Sequence, residues 1–134
     1  MDFMHLFLSF EGRIRRSHFW IGVVLLSIVQ WAVWAFTISG AMSAAVLAGN
    51  PGGAFSGVGL VGGLLLLALV WPSLAVQIKR WHDRDRTGWM VLINFIPLVG
   101  FVWTFIECGC MDGTPGPNRY GPSPKGLGTA TATA

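Results

Sequence analysis

The chain has 134 residues, of which 53% are hydrophobic and only 11% are charged, and its mean hydropathy is +0.60. Soluble domains carry about 25% charged residues, so this composition excludes an ordinary soluble domain and indicates a membrane protein. The formal charge of +3 does not indicate nucleic-acid binding, because the basic residues form short clusters beside apolar segments instead of an extended stripe.

The chain begins with an apolar stripe that is followed by arginines. Phe3, Leu6, Phe7 and Phe10 have the i, i+3, i+4, i+7 spacing of one helix face. The arginines of "GRIRR" come directly after this stripe. A short interfacial helix over residues 2–12, lying in the headgroup region of a membrane, is therefore predicted.

Two apolar segments are long enough to cross a bilayer as helices. Residues 19–38 carry no charge, and twenty helical residues rise about 30 Å, the thickness of the hydrocarbon core. A retained span is expected, because the length and tryptophan content of this segment do not suit a cleaved signal peptide. The second span is predicted at residues 60–78, with a kink at Pro72. The glycine-rich residues 39–57 predict a loop, with a short interfacial helix as the alternative for their alanine-rich part.

A third apolar segment, residues 89–108, is open to two interpretations. Its length suits a third span, but Pro97 and Gly100 near its middle also suit a hairpin of two short helices. The predicted fold is all-α: a polytopic transmembrane helical bundle with three spans, or with two spans plus a Pro/Gly-kinked helical hairpin. In this prediction residues 1–125 form a single integral membrane domain and residues 126–134 form a disordered tail.

The distribution of basic residues predicts which side of the membrane each loop faces. The N-terminal segment has three arginines and residues 79–86 contain four basic residues, whereas the loop at residues 39–57 has none. Because lysine and arginine favour the cytoplasmic side, the N-terminus and the 79–88 loop are predicted to be cytoplasmic. The side of the tail stays open: a third span puts Arg119 and Lys125 outside, and a hairpin puts them inside.

The charged block at residues 79–86 contains acids that orientation does not require. Acidic residues alternate with arginines in "KRWHDRDR". Lys79–Asp83 and Asp83–Arg86 have the helical i+4 and i+3 spacings at which opposite charges pair. We expect a salt-bridge network here that reaches Arg13 or Arg16 beneath the membrane.

The sequence does not predict a metal site or a catalytic site. His82 and Asp83 match the His-Asp dipeptide of metal phosphohydrolases, but that chemistry needs further ligands and few histidines remain. Cys108 and Cys110 lack the second cysteine pair of a structural zinc site and are interpreted as small apolar residues. There is no phosphate-binding loop, catalytic triad or carboxylate pair. We therefore expect no catalytic residue, no metal and no cofactor.

Five further residues are candidates because of their depth in the membrane. Trp20, Trp81 and Trp89 suit the headgroup level, where an indole ring is half hydrated. Asn94 and Glu107 are polar residues within the third apolar segment. An ionisable residue in a span is a functional candidate by default, but Glu107 lies near the segment end, where it reaches headgroups or an arginine.

Four blocks of this sequence, in order, resemble the bacterial inner-membrane family called domain of unknown function 805. The blocks are "FEGRIRRSHFW" (10–20), "KRWHDRDRTGW" (79–89), "IPLVG" (96–100) and "GTPGPNRYGPSP" (113–124). The family-like positions are Gly12, Arg13, Arg16, Trp20, Arg80, His82, Asp83, Trp89, Gly116, Asn118, Arg119, Tyr120 and Gly121. The chain departs from the family pattern by Trp81, where leucine is more frequent, and by Thr87, where serine is common. The resemblance implies a small polytopic membrane protein and no established biochemical activity.

If the first, second and last blocks meet, they form one polar cluster on the cytoplasmic face. Its predicted members are Gly12, Arg13, Arg16, Arg80, His82, Asp83, Arg86, Asn118, Arg119 and Tyr120. The predicted function is a non-enzymatic component of the bacterial inner membrane whose cluster binds anionic lipid headgroups or a partner protein. A homo-oligomer is a further expected assembly, and nucleic acid is not an expected partner. The alternative function is a subunit of an oligomeric small-molecule or ion transporter or channel.

Overall fold

The computed structural model describes residues 2–50, 52 and 57–126, and within these ranges the chain is helical without a β-strand. The helices are α1 (Phe3–Leu8), α2 (Arg16–Ala48), α3 (Gly57–Asp83) and α4 (Val99–Thr104). A 3₁₀ helix (Gly88–Phe95) precedes α4, and a π-helical turn (Phe105–Cys110) follows it. The chain divides into a central unit (Val24–Pro72) and a terminal unit (Met1–Val23 with Ser73–Ala134). The predicted all-α class is confirmed.

The central unit consists of the apolar parts of two long helices. Both α2 and α3 are long and apolar enough to cross a membrane. Large apolar side chains on these helices, among them Trp31, Phe36 and Leu67, are mostly exposed. Exposed apolar surface of this extent is stable in lipid and not in water, so α2 and α3 are transmembrane helices.

Glycines allow the two helices of the central unit to approach closely. A Cβ atom on Gly62 would overlap the side chain of Thr37, and one on Gly40 would overlap that of Val58. The hydroxyl of Thr37 donates to the carbonyl of Val33 (2.7 Å), so this polar group is satisfied within α2. Small residues therefore set the helix contact, as is common in membrane bundles.

α2 extends into the segment for which the sequence predicts a loop. The loop is predicted over residues 39–57, but the helix continues to Ala48, because its alanine-rich end favours helix and contains no proline. Gly49 follows with a φ of +62°, a left-handed conformation that glycine adopts readily at helix ends. At about 1.5 Å per residue, α2 is about 50 Å long and exceeds the hydrocarbon core.

The third apolar segment folds back on itself. Its first arm is the 3₁₀ helix and its second arm is α4 with the π-helical turn; residues 96–98 join them. Thr104 in the second arm donates to the amide oxygen of Asn94 in the first (2.8 Å). Gly100 lies so close to the carbonyl of Ile93 that a Cβ atom would overlap it. Of the two interpretations of this segment, the structure therefore forms the hairpin.

Both ends of the hairpin lie next to the end of α3. Gly88 packs against Ile78 and His82, and the carbonyl of Cys108 accepts a hydrogen bond from Arg80 (2.7 Å). Each arm is about 16 to 18 Å long, about half the thickness of the hydrocarbon core. The tail that follows the hairpin therefore begins beside the end of α3.

The terminal unit packs around a small apolar core. Its buried apolar residues are Leu6, Ile14, Phe19, Ala75, Val76, Trp81 and Cys108. α1 is shorter than the helix predicted over residues 2–12, and Asp2 caps its start: the carboxylate of Asp2 accepts from the amide of Met4 (3.0 Å). Residues 127–134, the greater part of the predicted disordered tail, lie outside the described residues.

Candidate functional site

Four charged side chains, Arg13, Lys79, Arg80 and Asp83, are buried in the terminal unit and are named the buried cluster here. Asp83 forms ion pairs with Arg13 (3.0 Å) and with Arg80. The side chains of these three residues are at most 4% exposed. Burial of a charge is costly unless it is paired and hydrogen-bonded, so the cluster depends on its partners.

The two buried guanidinium groups donate to main-chain carbonyls of distant segments. Arg13 donates to the carbonyls of Thr114 and Gly116, both at 2.8 Å, and Arg80 donates to that of Cys108. The remaining acceptors are the carbonyls of Ile14, Met111 and Gly121. The planar guanidinium fork can hold several acceptors at once, which a lysine cannot do in the same geometry. The two arginines thus join the N-terminal segment, the hairpin and the tail to the end of α3.

Lys79 holds α1 against the end of α3. Its ammonium group donates to the carbonyl of Leu6 (2.7 Å) and to that of His5. These carbonyls belong to the last turn of α1, where helical carbonyls have no partner within the helix. A helix as short as α1 is not stable by itself, so this contact helps to fix it. Lys79 therefore contacts α1 and does not form the i+4 pair with Asp83 that its spacing suggests.

The tail caps the C-terminal end of α3. Thr114 donates through its amide (2.8 Å) and its hydroxyl (3.2 Å) to the carbonyl of Asp83, and Asn118 donates to that of His82 (2.9 Å). These contacts satisfy carbonyls that the end of a helix leaves unpaired. A Cβ atom on Gly113 would overlap the carboxylate of Asp83, so this position requires glycine. The "GTPGPN" part of the tail therefore acts as a cap for α3.

An aromatic stack lies next to this cap. The rings of His82 and Tyr120 are nearly parallel, with centroids 3.9 Å apart and an angle of 5° between their planes. Arg119 lies 5.4 Å from the centre of the Tyr120 ring and forms an ion pair with Asp85 (3.1 Å). In the part of the chain that the structure describes, no three histidine, cysteine, aspartate or glutamate side chains are grouped to hold a metal ion.

Further ion pairs surround the buried cluster. Arg84 pairs with Glu107 (3.0 Å), so the polar residue near the end of the third apolar segment has an arginine partner. Asp112 pairs with Arg16 (3.1 Å) and Lys125 (2.6 Å). The hydrogen bond from Lys125 holds the pKa of the Asp112 carboxyl below its ordinary value. These pairs connect the tail to the hairpin end and to the start of α2.

Most of the net positive charge of the chain is buried. The buried cluster contains three basic residues and one acidic residue, so it holds a formal charge of +2 out of the total of +3. Six of the nine basic residues and five of the six acidic residues remain outside it, and their charges nearly cancel. The accessible surface is therefore not strongly basic.

The structure brings together most of the residues predicted to form a polar cluster. These are Arg13, Arg80, His82, Asp83, Asn118, Arg119 and Tyr120. Gly12 lies next to Arg13 in the chain and has a φ of +88°, a conformation that glycine adopts readily. Arg16 lies at the periphery of the cluster, where it pairs with Asp112. Arg86 is not brought in: it is exposed, and its side chain forms no ion pair with a described residue.

The three tryptophans predicted for the membrane interface have different environments. Trp89 is 78% exposed and Trp20 is 38% exposed, whereas Trp81 is fully buried. The indole N–H of Trp20 donates to the carbonyl of Gly109 (3.1 Å), and that of Trp81 has no acceptor among the described residues. Trp81 is therefore a core residue of the terminal unit, and its surface does not reach lipid. Its place between charged residues in the sequence does not reveal this burial.

Charge patterning does not indicate several residues of the site. They are Lys79 as an anchor of α1, Arg84 as the partner of Glu107, and Gly113 and Thr114 as parts of the helix cap. The tail block "GTPGPNRYGPSP" is the one sequence signal for the last two, because both lie within it.

Fold and site together define a small helical membrane protein with two transmembrane helices, a hairpin and a buried ionic cluster. The chain belongs to the family described as "Protein of unknown function (DUF805)", whose model matches residues 7–122. It is 34% identical over 119 residues to "Inner membrane protein YhaH" of Escherichia coli (strain K12), which covers 89% of each chain. It is also 34% identical over 121 residues to "Inner membrane protein YhaI" of the same strain, covering 89% of this chain and 88% of the relative.

A more distant relative is "Uncharacterized protein YiiR" of the same strain, 30% identical over 137 residues and 84% of each chain. No solved structure matches the chain. The family description and the names of these relatives give no sign of an enzymatic activity. They agree with the apolar helices in indicating the inner membrane as the location of the protein.

Proposed function

We propose that the protein is a non-enzymatic component of the inner membrane whose exposed arginines bind anionic lipid headgroups. The proposal rests on Arg86, which is exposed, has no ion-pair partner among the described residues and lies three residues before the exposed Trp89. Arg16 and Trp20 lie one helical turn apart at the start of α2, but Arg16 pairs with Asp112, so the proposal does not depend on it. An exposed indole suits the headgroup level, and an arginine near an anionic surface gains about 1 kcal/mol.

The buried cluster has a different role in this proposal. Its arginine side chains are 1% exposed and already donate to Asp83 and to main-chain carbonyls, so a headgroup does not reach them. Its contacts fix the N-terminal segment, the hairpin and the tail against the end of α3. The cluster thereby positions the exposed arginines without binding lipid itself.

The proposal includes a cytoplasmic position for the N-terminus, the 79–88 loop and the tail. All nine basic residues of the chain belong to the terminal unit, and the central unit contains none. Basic residues favour the cytoplasmic side, so this asymmetry supports the orientation. Fusing a cytoplasmic fluorescent reporter and, separately, a periplasmic phosphatase to the C-terminus tests it. We expect fluorescence without phosphatase activity, and the reverse result would contradict the orientation.

Lipid retention by the purified protein, measured by native mass spectrometry, tests the headgroup role. We expect phosphatidylglycerol to be retained in preference to phosphatidylcholine. Arg86→Gln is expected to weaken phosphatidylglycerol binding about fivefold, the equivalent of about 1 kcal/mol. Arg119→Gln is the matched control, because it removes the same charge from an exposed residue that is paired with Asp85. An equal loss in both variants would indicate a general charge effect and contradict the proposal.

The other predicted partners are not part of this proposal. A partner protein, a homo-oligomer and the transporter or channel alternative stay predictions.

A further inference from the structure

A cavity of about 450 Å³ lies within the terminal unit, on the apolar side of the charged end of α3. It is bounded by the first turns of α2, the last apolar turn of α3 and both arms of the hairpin. Its lining residues are Phe19, Trp20, Val23, Gln77, Asn94, Phe101, Thr104 and Phe105. A volume of this size is in the range of about 300 to 1,000 Å³ that accommodates small organic ligands.

Three polar side chains of the lining form a hydrogen-bonded chain. The amide oxygen of Gln77 accepts from Asn94 (2.6 Å), and the amide oxygen of Asn94 accepts from the hydroxyl of Thr104 (2.8 Å). The chain uses both amide oxygens and leaves the Nε2 group of Gln77 without an acceptor among the described residues. This donor is therefore available to an acceptor brought by a ligand, and a hydrogen bond to it beside the apolar rings would favour binding.

The rest of the lining is aromatic or aliphatic and carries no charge. The ring of Trp20 meets those of Phe19 and Phe105 edge to face, each at 5.7 Å between centroids, and Phe105 stacks with Phe101 at 6.2 Å. The indole N–H of Trp20 is already used by the carbonyl of Gly109. Because none of the lining residues is ionisable, the cavity favours a neutral ligand with an apolar body.

We propose that this cavity binds a neutral, membrane-soluble molecule through a carbonyl oxygen. The carbonyl accepts a hydrogen bond from Nε2 of Gln77, and the apolar body packs against the rings of Trp20 and Phe105. Two sources share this chemistry: the ring of a quinone and the acyl ester of a neutral lipid. The site is separate from the exposed arginines that carry the proposed function, so either can fail without the other.

Native mass spectrometry of the full chain in detergent micelles tests this site with two probes, a decyl-substituted benzoquinone and a dioctanoyl diacylglycerol. We expect one of them to bind with one-to-one stoichiometry. Gln77→Leu is expected to weaken that binding about tenfold, the effect of one lost hydrogen bond. Val23→Phe is expected to weaken it by filling the cavity while leaving the amides in place. Gln30→Leu, the same substitution at an exposed position of α2, is expected to have no effect.

The two probes separate the possible sources of the carbonyl. Binding of the benzoquinone with these variant effects assigns a quinone ring, and binding of the diacylglycerol assigns an acyl ester. The proposal is overturned if neither probe binds, if no variant changes the binding, or if Gln30→Leu weakens it as much as Gln77→Leu. Thermal unfolding of each variant in the same detergent shows whether it is folded. If Gln77→Leu does not fold, Val23→Phe provides the test.

Discussion

Replacement of Asp83 by asparagine tests whether the buried cluster holds the terminal unit together. The substitution keeps the size of the side chain and removes the negative charge that lies among three buried cations. Removing one partner of a buried ion pair typically costs about 3 to 5 kcal/mol, because the other charge stays buried without compensation. Here Arg13 and Arg80 both lose their counter-ion but keep their carbonyl acceptors. We therefore expect a loss of about 4 kcal/mol in the free energy of unfolding.

Unfolding of the purified protein in mixed micelles, at increasing fractions of a denaturing detergent, measures this loss. Asp85→Asn is the matched control, since it is the same chemical change two residues further on. The ion pair of Asp85 with Arg119 is solvent-exposed, with side chains 42% and 59% accessible, so we expect a loss below about 1 kcal/mol. If Asp83→Asn cost no more than Asp85→Asn, the argument from burial would be refuted.

A double-mutant cycle separates the direct contact from a general loss of stability. Arg13→Gln and Asp83→Asn remove the two partners of one buried pair, whose nitrogen and oxygen are 3.0 Å apart. Their effects on the free energy of unfolding are expected to be non-additive by about 0.5 to 3 kcal/mol. Simple additivity would mean that the two side chains act independently.

Two further predictions concern the hairpin and the tail. Gly100→Ala is expected to cost about 1 to 3 kcal/mol, because its Cβ atom overlaps the main chain of the first arm, whereas Gly63→Ala, at an open position, is expected to cost nothing. Thermal unfolding compares the two, and equal losses would contradict close packing of the arms. The hydrogen bond from Lys125 lowers the pKa of Asp112 in the folded protein. The ionised carboxylate therefore stabilises the fold at a pH above its ordinary pKa, and this stabilisation is lost as the pH falls through the lowered pKa. Lys125→Gln is expected to raise that pKa in a carboxyl NMR titration; an unchanged titration would argue against the contact.

The transmembrane class was predictable because it depends on local composition. An uncharged run such as residues 19–38 needs no tertiary contact to be recognised, and the bilayer thickness sets the length that it requires. The structure confirms an all-α chain with two long apolar helices. Helix ends were less predictable: α2 continues to Ala48 because helix-favouring residues extend past the strongly apolar run.

The partners of the charged side chains were harder to predict than their positions. Helical spacing favours a pair between Lys79 and Asp83, but Lys79 donates to α1 and Asp83 pairs with Arg13, 70 residues away. Local spacing does not indicate which distant segment supplies a counter-ion. It also does not show that Trp81 is buried, since exposure depends on what packs over a residue.

By itself, the sequence determines that this chain is a membrane protein with its basic residues outside the long uncharged runs, because hydropathy and charge are properties of short runs. Only the tertiary structure decides that the third apolar segment turns back at residues 96–98, since its length suits a span and a hairpin equally and contacts between the arms make the choice. Only the structure separates the buried cations from exposed arginines such as Arg86, because burial arises where segments distant in sequence pack against the same end of α3.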